Sequence, residues 1–328
     1  MTESDLGQNK ADPVEELITG YNELNSSRIE ELQEEPSPLE FMRFVAKNTP
    51  FVVRGAAKDW RATKTWSAQY LREALRGHQV NVAVTPYGNA DAPTLDAQGN
   101  LIFAKPHEED QTFEEFIDYL TEQEDDPSCS DTLEVRYAQT QNDNLRHEYI
   151  SLFSETLKSI PFARIALEKE PDAINMWVGN SYSTTAMHRD NYENIYVQIT
   201  GQKHFVLLPA LCQPCINEQE LRPATYVRQG GDLVLQMDDG ADGGVPFAIW
   251  DPDRPHAKRT KYSHLAQPVR VTLDPGDMLY LPAMWYHKVS QSCAEGGVCI
   301  AVNYWYDMDF SGPLYPLTSF VRDMSKRQ

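Results

Sequence analysis

A chain of 328 residues can bury a substantial core, and a formal charge of −20, from 29 Lys and Arg against 49 Asp and Glu, argues against nucleic acid, whose phosphates need a clustered basic surface. The best basic cluster is only Lys258, Arg259 and Lys261; no run of roughly eighteen apolar residues suggests a membrane span, and Met1–Pro13 lacks the apolar core of a secretion signal. Five cysteines (Cys129, Cys212, Cys215, Cys293, Cys299) form an odd set without framework spacing, so the expectation is a soluble intracellular protein, cytoplasmic and also nuclear, whose Asn25-Ser26-Ser27 sequon goes unused.

Asp12-Pro13 opens the first predicted helix, and Val14, Leu17, Ile18 and Tyr21 recur at helical spacing to give one apolar face. That face covers the body of the protein or pairs with a second subunit, and a homodimer is the expectation. Ser37-Pro38-Leu39-Glu40 is a capping box ahead of Phe41, Met42, Phe44 and Val45. Ser67 and Gly77 bracket a helix carrying Tyr70, Leu71, Ala74 and Leu75, and Thr112 with Glu115 caps another with Phe113, Phe116, Ile117 and Leu120 along one stripe. Short strands are predicted at 51–54 and 80–84, and the charged run His107-Glu108-Glu109-Asp110 as a solvated loop. On this reading the first half is largely helical.

From about Leu133 the pattern changes to short β-rich runs between Gly, Pro and Asp, as in a sandwich or barrel. Residues 211–267 are the least regular, with Gly230-Gly231 and 238–244 as turn material, and read as an insertion between core strands that shapes access to a site.

The candidate chemistry lies at His188, Asp190 and His287. Two imidazoles and a carboxylate on one face of an octahedral metal are the arrangement of non-haem Fe(II) oxygenases. The His-x-Asp pair alone is weak, because eight histidines in a chain with 49 acidic residues give about one such pair by chance. His107 and Glu109 have the same spacing in a charged stretch and are set aside as that chance pair. His188 and Asp190 face the same way if their segment is extended. The next strand, Asn194 to Thr200, alternates polar (Asn194, Tyr196, Gln198, Thr200) with apolar residues, and Gly201-Gln202 suits a two-residue hairpin pairing Thr200 with Lys203. A lysine facing a barrel interior is costly without an anion, so Lys203 sharpens the site. His287 ends the run Pro275-Gly276-Asp277 to Trp285-Tyr286, and the last strand, Val298 to Trp305, sets Cys299, Ala301 and Asn303 between larger residues, leaving room for a cofactor.

Thr185-Ala186-Met187-His188-Arg189-Asp190, Gly201-Gln202-Lys203, Gly276-Asp277, Trp285-Tyr286-His287 and Asn303-Tyr304-Trp305-Tyr306 together resemble the jumonji-C (JmjC) 2-oxoglutarate oxygenases, nearest to lysyl-hydroxylating members. The resemblance covers the chain from about residue 38. It implies an α+β, mainly β fold: a double-stranded β-helix (jelly-roll, cupin-like barrel) with a helical N-terminal region and a C-terminal helix. The expected divisions are an acidic segment 1–36, one oxygenase domain 37–310 with helical support in 37–130 and a barrel core at about 133–307, and a C-terminal helix in 311–328.

By the same resemblance His188, Asp190 and His287 match the Fe(II) ligands and the catalytic centre. Lys203 matches the partner of the distal carboxylate of 2-oxoglutarate, Tyr137 and Thr185 its hydroxyl partners, and Asn194 and Asn303 pocket asparagines. Mn, Ni, Co or Zn is expected to be able to replace iron in a crystal. The implied reaction consumes O2 and 2-oxoglutarate, releases succinate and CO2, and hydroxylates a lysine of a basic protein, of the developmentally regulated GTP-binding class. Histone lysine demethylation is the alternative enzyme reading, and a catalytically silent binding module the non-enzyme one. A redox role for Cys212-Gln213-Pro214-Cys215 rests on spacing alone.

Overall fold

The computed structural model describes residues 12–126, 134–238 and 243–326. Cys129 and part of the 238–244 turn lie outside them.

The N-terminal half alternates helices with short strands: α1 (Pro13–Leu24), β1 (Glu30–Leu32), α2 (Pro38–Lys47), β2 (Phe51–Val53), α3 (Arg61–Thr65), α4 (Ala68–Ala74), β3 (Gln79–Thr85), β4 (Ala92–Leu95), β5 (Leu101–Lys105), β6 (His107–Thr112) and α5 (Phe113–Asp125). The predicted caps form: Ser37 and Glu40, and Thr112 and Glu115, make reciprocal capping boxes, and Asp12 accepts from the Val14 amide at 3.0 Å. The helical N-terminal region forms, and six strands are set among its helices. The charged run is one of them. His107–Thr112 pairs antiparallel with β3, so hydrogen bonding to a buried neighbour overrides a composition that reads as loop.

The C-terminal half contains β7 (Val135–Tyr137), α6 (Pro161–Leu167), β8 (Ala173–Gly179), β9 (Thr185–His188), β10 (Tyr192–Thr200), β11 (Gln202–Leu208), β12 (Glu218–Leu221), β13 (Pro223–Gln229), β14 (Asp232–Met237), β15 (Val245–Ala248), β16 (Val269–Leu273), β17 (Met278–Leu281), β18 (Tyr286–Ser292), β19 (Cys299–Asp307) and α7 (Leu314–Lys326). Two sheets form the centre of the jelly roll, a six-stranded one ordered β1-β2-β17-β10-β19-β8 and a four-stranded one ordered β16-β11-β18-β9. The larger sheet is covered on both faces. Ile195, Val197, Ile199, Val302 and Tyr304 join Phe41, Leu71 and Phe116 in the core beneath the helices, while Tyr196, Leu279 and Ala301 pack with Phe205, Leu207 and Val271 of the opposing sheet. Phe41 is fully buried against Phe162 and Tyr280, with ring centroids 5.1 and 4.9 Å away, and truncating such a ring costs about 3–5 kcal/mol.

The predicted Thr200–Lys203 hairpin does not form. β10 and β11 belong to opposite sheets, and Gly201, at φ +70°, turns the corner between them. A Cβ there would lie 2.6 Å from the Ser292 carbonyl oxygen, so the corner requires glycine. Local alternation could not distinguish a hairpin from this crossing, since both turn the chain within two residues. Residues 211–267 do separate the paired strands β11 and β16, and regular strands lie among their loops. They form the β13–β14 hairpin, with Gly230-Gly231 at its turn, and the β12–β15 pair; β13 also runs parallel to the distant β5.

Candidate metal centre and its cavity

His188 ends β9 and His287 stands second in β18; in the antiparallel pairing of these strands the two are direct partners. This explains how histidines so far apart in sequence place their rings 4.1 Å apart, centroid to centroid. Asp190 lies just beyond the strand, and its Oδ2 is 3.8 Å from His188 Nε2 and 3.6 Å from His287 Nε2. One ligand atom from each residue falls within 4.8 Å of the others, close enough to share one ion.

Both imidazoles are oriented from behind. His188 Nδ1 lies 2.8 Å from the Ala186 carbonyl oxygen and His287 Nδ1 lies 3.1 Å from that of Trp285. A ring that donates from Nδ1 to a carbonyl leaves Nε2 with a lone pair for a metal. Burial, reinforced by His188 and opposed by Asp190, lowers the His287 pKa to about 4, so this imidazole is neutral at physiological pH.

The triad opens into a cavity of about 460 Å³ between the two sheets. Lys203 enters it from β11 and is only 3% exposed. Its Nζ donates to Tyr137 Oη at 2.9 Å and to Gln291 Oε1, and among the described residues no carboxylate pairs with it. Desolvation works against the ammonium, while Tyr137, Tyr196 and Cys299 beside it push its pKa up. Thr185, Asn194 and Asn303 line the same space, with Asn303 Nδ2 donating to Asn194 Oδ1 at 3.2 Å and Trp177 Nε1 to Asn303 Oδ1 at 2.9 Å. The structure thus brings together all eight residues singled out in the sequence.

The comparisons with known proteins bear on this site. A family profile described as a cupin-like domain matches residues 36–312. Human bifunctional peptidase and (3S)-lysyl hydroxylase JMJD7 is 38% identical over 280 residues, covering 85% of this chain and 84% of the relative. The chain belongs to the cupin-like JmjC family. Lysine-specific demethylase JMJ32 of Arabidopsis thaliana is 35% identical over 312 residues, covering 92% of this chain and 88% of the relative. JmjC domain-containing protein E of Dictyostelium discoideum is 30% identical over 345 residues, with 96% and 97% covered.

JmjC membership makes the protein a 2-oxoglutarate-dependent oxygenase and implies Fe(II). The residues fit such a group: the donor set suits a divalent metal, and the buried Lys203 ammonium lacks the anion that a dicarboxylate carries.

Several residues that hold the site in place escape sequence reasoning. Gln291 pairs with Lys203 across β11 and β18, and its place four residues after His287 on one strand face was a legible signal. Glu193 is buried and its Oε2 accepts from Tyr280 Oη at 2.6 Å and the Ala283 amide at 3.1 Å; Met284, at φ +67°, donates its amide to the Asp190 carbonyl at 2.8 Å. These bonds tie the turn before His287 to the segment carrying Asp190, a link no local pattern reveals. A larger groove of about 620 Å³, beside Arg28, Glu30 and Arg43, contains no member of the triad. Cys212 and Cys215 are buried free thiols in a different core cluster, and the Cys212 contact together with burial raises the Cys215 pKa, which leaves it a poor nucleophile.

Proposed function

We propose that the protein hydroxylates a lysine side chain of a protein substrate, of the developmentally regulated GTP-binding class, using Fe(II), O2 and 2-oxoglutarate. In this reading His188, Asp190 and His287 hold the metal. Lys203 meets the distal carboxylate of 2-oxoglutarate, with Tyr137 and Thr185 as hydroxyl partners and Asn194 and Asn303 fixing the inner wall. The observation that carries it is the buried, anion-free Lys203 in the same cavity as the triad. Bound iron and 2-oxoglutarate supply the oxidation, with succinate and CO2 as co-products. The chain's own residues orient the groups and exclude water, and their positioning decides which C–H bond is exposed to reaction.

The lysyl substrate is supported by the likeness to the human lysyl hydroxylase, and a basic partner complements the net charge of −20. The likeness to the plant demethylase supports a second reading, because the same oxidation at an N-methyl group gives an unstable carbinolamine and loss of formaldehyde. We place the activity in one domain spanning 37–310, in a cytoplasmic protein that also enters the nucleus and pairs as a homodimer.

Mass spectrometry of candidate GTP-binding proteins after incubation with the enzyme, Fe(II) and 2-oxoglutarate tests this, with His188→Ala as control. One oxygen gained on a lysine is expected. Methyl-lysine peptides that lose methyl groups while no lysine gains oxygen would reverse the ranking in favour of demethylation.

A further inference from the structure

The cavity is electrically polarised. Lys203 lies at its inner end; the half-buried Asp91 and the exposed Glu108 line it too, contributed by the segment before β4 and by β6. Gln139 Nε2 donates to Asp91 Oδ2 at 3.2 Å, which fixes one oxygen of that carboxylate, and among the described residues neither acid forms an ion pair. Lys105, on β5, is engaged by Asp238 at 2.6 Å. Burial raises the Asp91 pKa, the Gln139 hydrogen bond opposes that, Glu108 adds to the rise, and His188 and Lys105 oppose it. A cation entering the cavity would relieve that tension.

We propose that Asp91 and Glu108 receive the ammonium of the substrate lysine, so the cavity selects an unmethylated lysine by its charge and its three N–H donors. This rests on the lysyl-hydroxylase reading above. Each methyl group on the nitrogen would remove a donor, so the carboxylates favour a hydroxylation substrate over a methylated one. Asp91 and Glu108 are specificity-determining residues on this account.

The test uses the full-length enzyme and two peptides, one spanning the lysine that gains oxygen in the mass-spectrometric experiment and one with norleucine in its place. Wild-type enzyme should prefer lysine over norleucine by roughly 10- to 100-fold in kcat/KM, the scale of a desolvated charge contact. In Asp91→Asn/Glu108→Gln that preference should collapse to near unity with the KM for 2-oxoglutarate unchanged. Peptide affinity measured without O2 on the Mn(II)-loaded protein should fall in parallel. A lysine preference that survives in the double variant overturns the inference and leaves lysyl hydroxylation standing. Wild-type enzyme that oxidises neither peptide overturns both.

Discussion

His188-x-Asp190 and His107-x-Glu109 share a spacing, and they have different fates. In the second pair His107 Nε2 lies 3.5 Å from Glu109 Oε2, but Glu109 is already engaged by Arg228 at 3.0 Å and by Gln111 at 2.6 Å. Burial works against its charge, and Arg228 still holds its pKa below the usual carboxylate range. In the first pair a second imidazole arrives from β18, and both rings are held from behind by carbonyls. A two-residue motif is therefore only half of a site. What decides its chemistry is whether another strand delivers a third ligand and whether the carboxylate has been left free of cations.

The largest expected effect comes from breaking the first pair. His188→Ala should lose iron and reduce substrate oxidation to background, measured by succinate release and by metal content. Next, Lys203→Met should retain iron while weakening 2-oxoglutarate binding by roughly 2–5 kcal/mol, the cost of deleting one partner of a buried charge pair, read by titration without O2. A smaller change follows from loosening the support. Glu193→Ala strands the Tyr280 hydroxyl and the Ala283 amide, and should lower unfolding stability by about 1–3 kcal/mol in urea denaturation while shifting metal affinity more than 2-oxoglutarate affinity. The smallest effect belongs to the decoy: His107→Ala should leave iron content and turnover unchanged and alter stability by about 0.5 kcal/mol or less.

Much of this site was legible in the sequence because its residues are placed by strand alternation, which is local. Asn194 and Tyr196, and Asn303 and Trp305, line the cavity from two strands in this way, whereas Thr185 and His188, three apart, share it because the β9–β18 pairing shifts register between them. What was not legible depends on pairing between distant segments. β6 is a strand because β3 lies beside it, and β13 joins β5 across more than a hundred residues of chain. Lys203 was placed on the correct inner face for a mistaken reason, since Gly201 leads into the opposing sheet and the lysine reaches the cavity from across it. Asp91 and Glu108 gave no signal because one follows a turn and the other sits in a run of acids, where composition says solvent and only the tertiary fold supplies a wall.

Equilibrium dialysis of Fe(II) without O2, comparing the wild-type protein, His188→Ala and His107→Ala, tests most directly the claim that convergence and not spacing makes the metal centre. The account predicts one iron per chain for the wild type and for His107→Ala, and none retained by His188→Ala. Iron held by His188→Ala, or lost on changing His107, would contradict it.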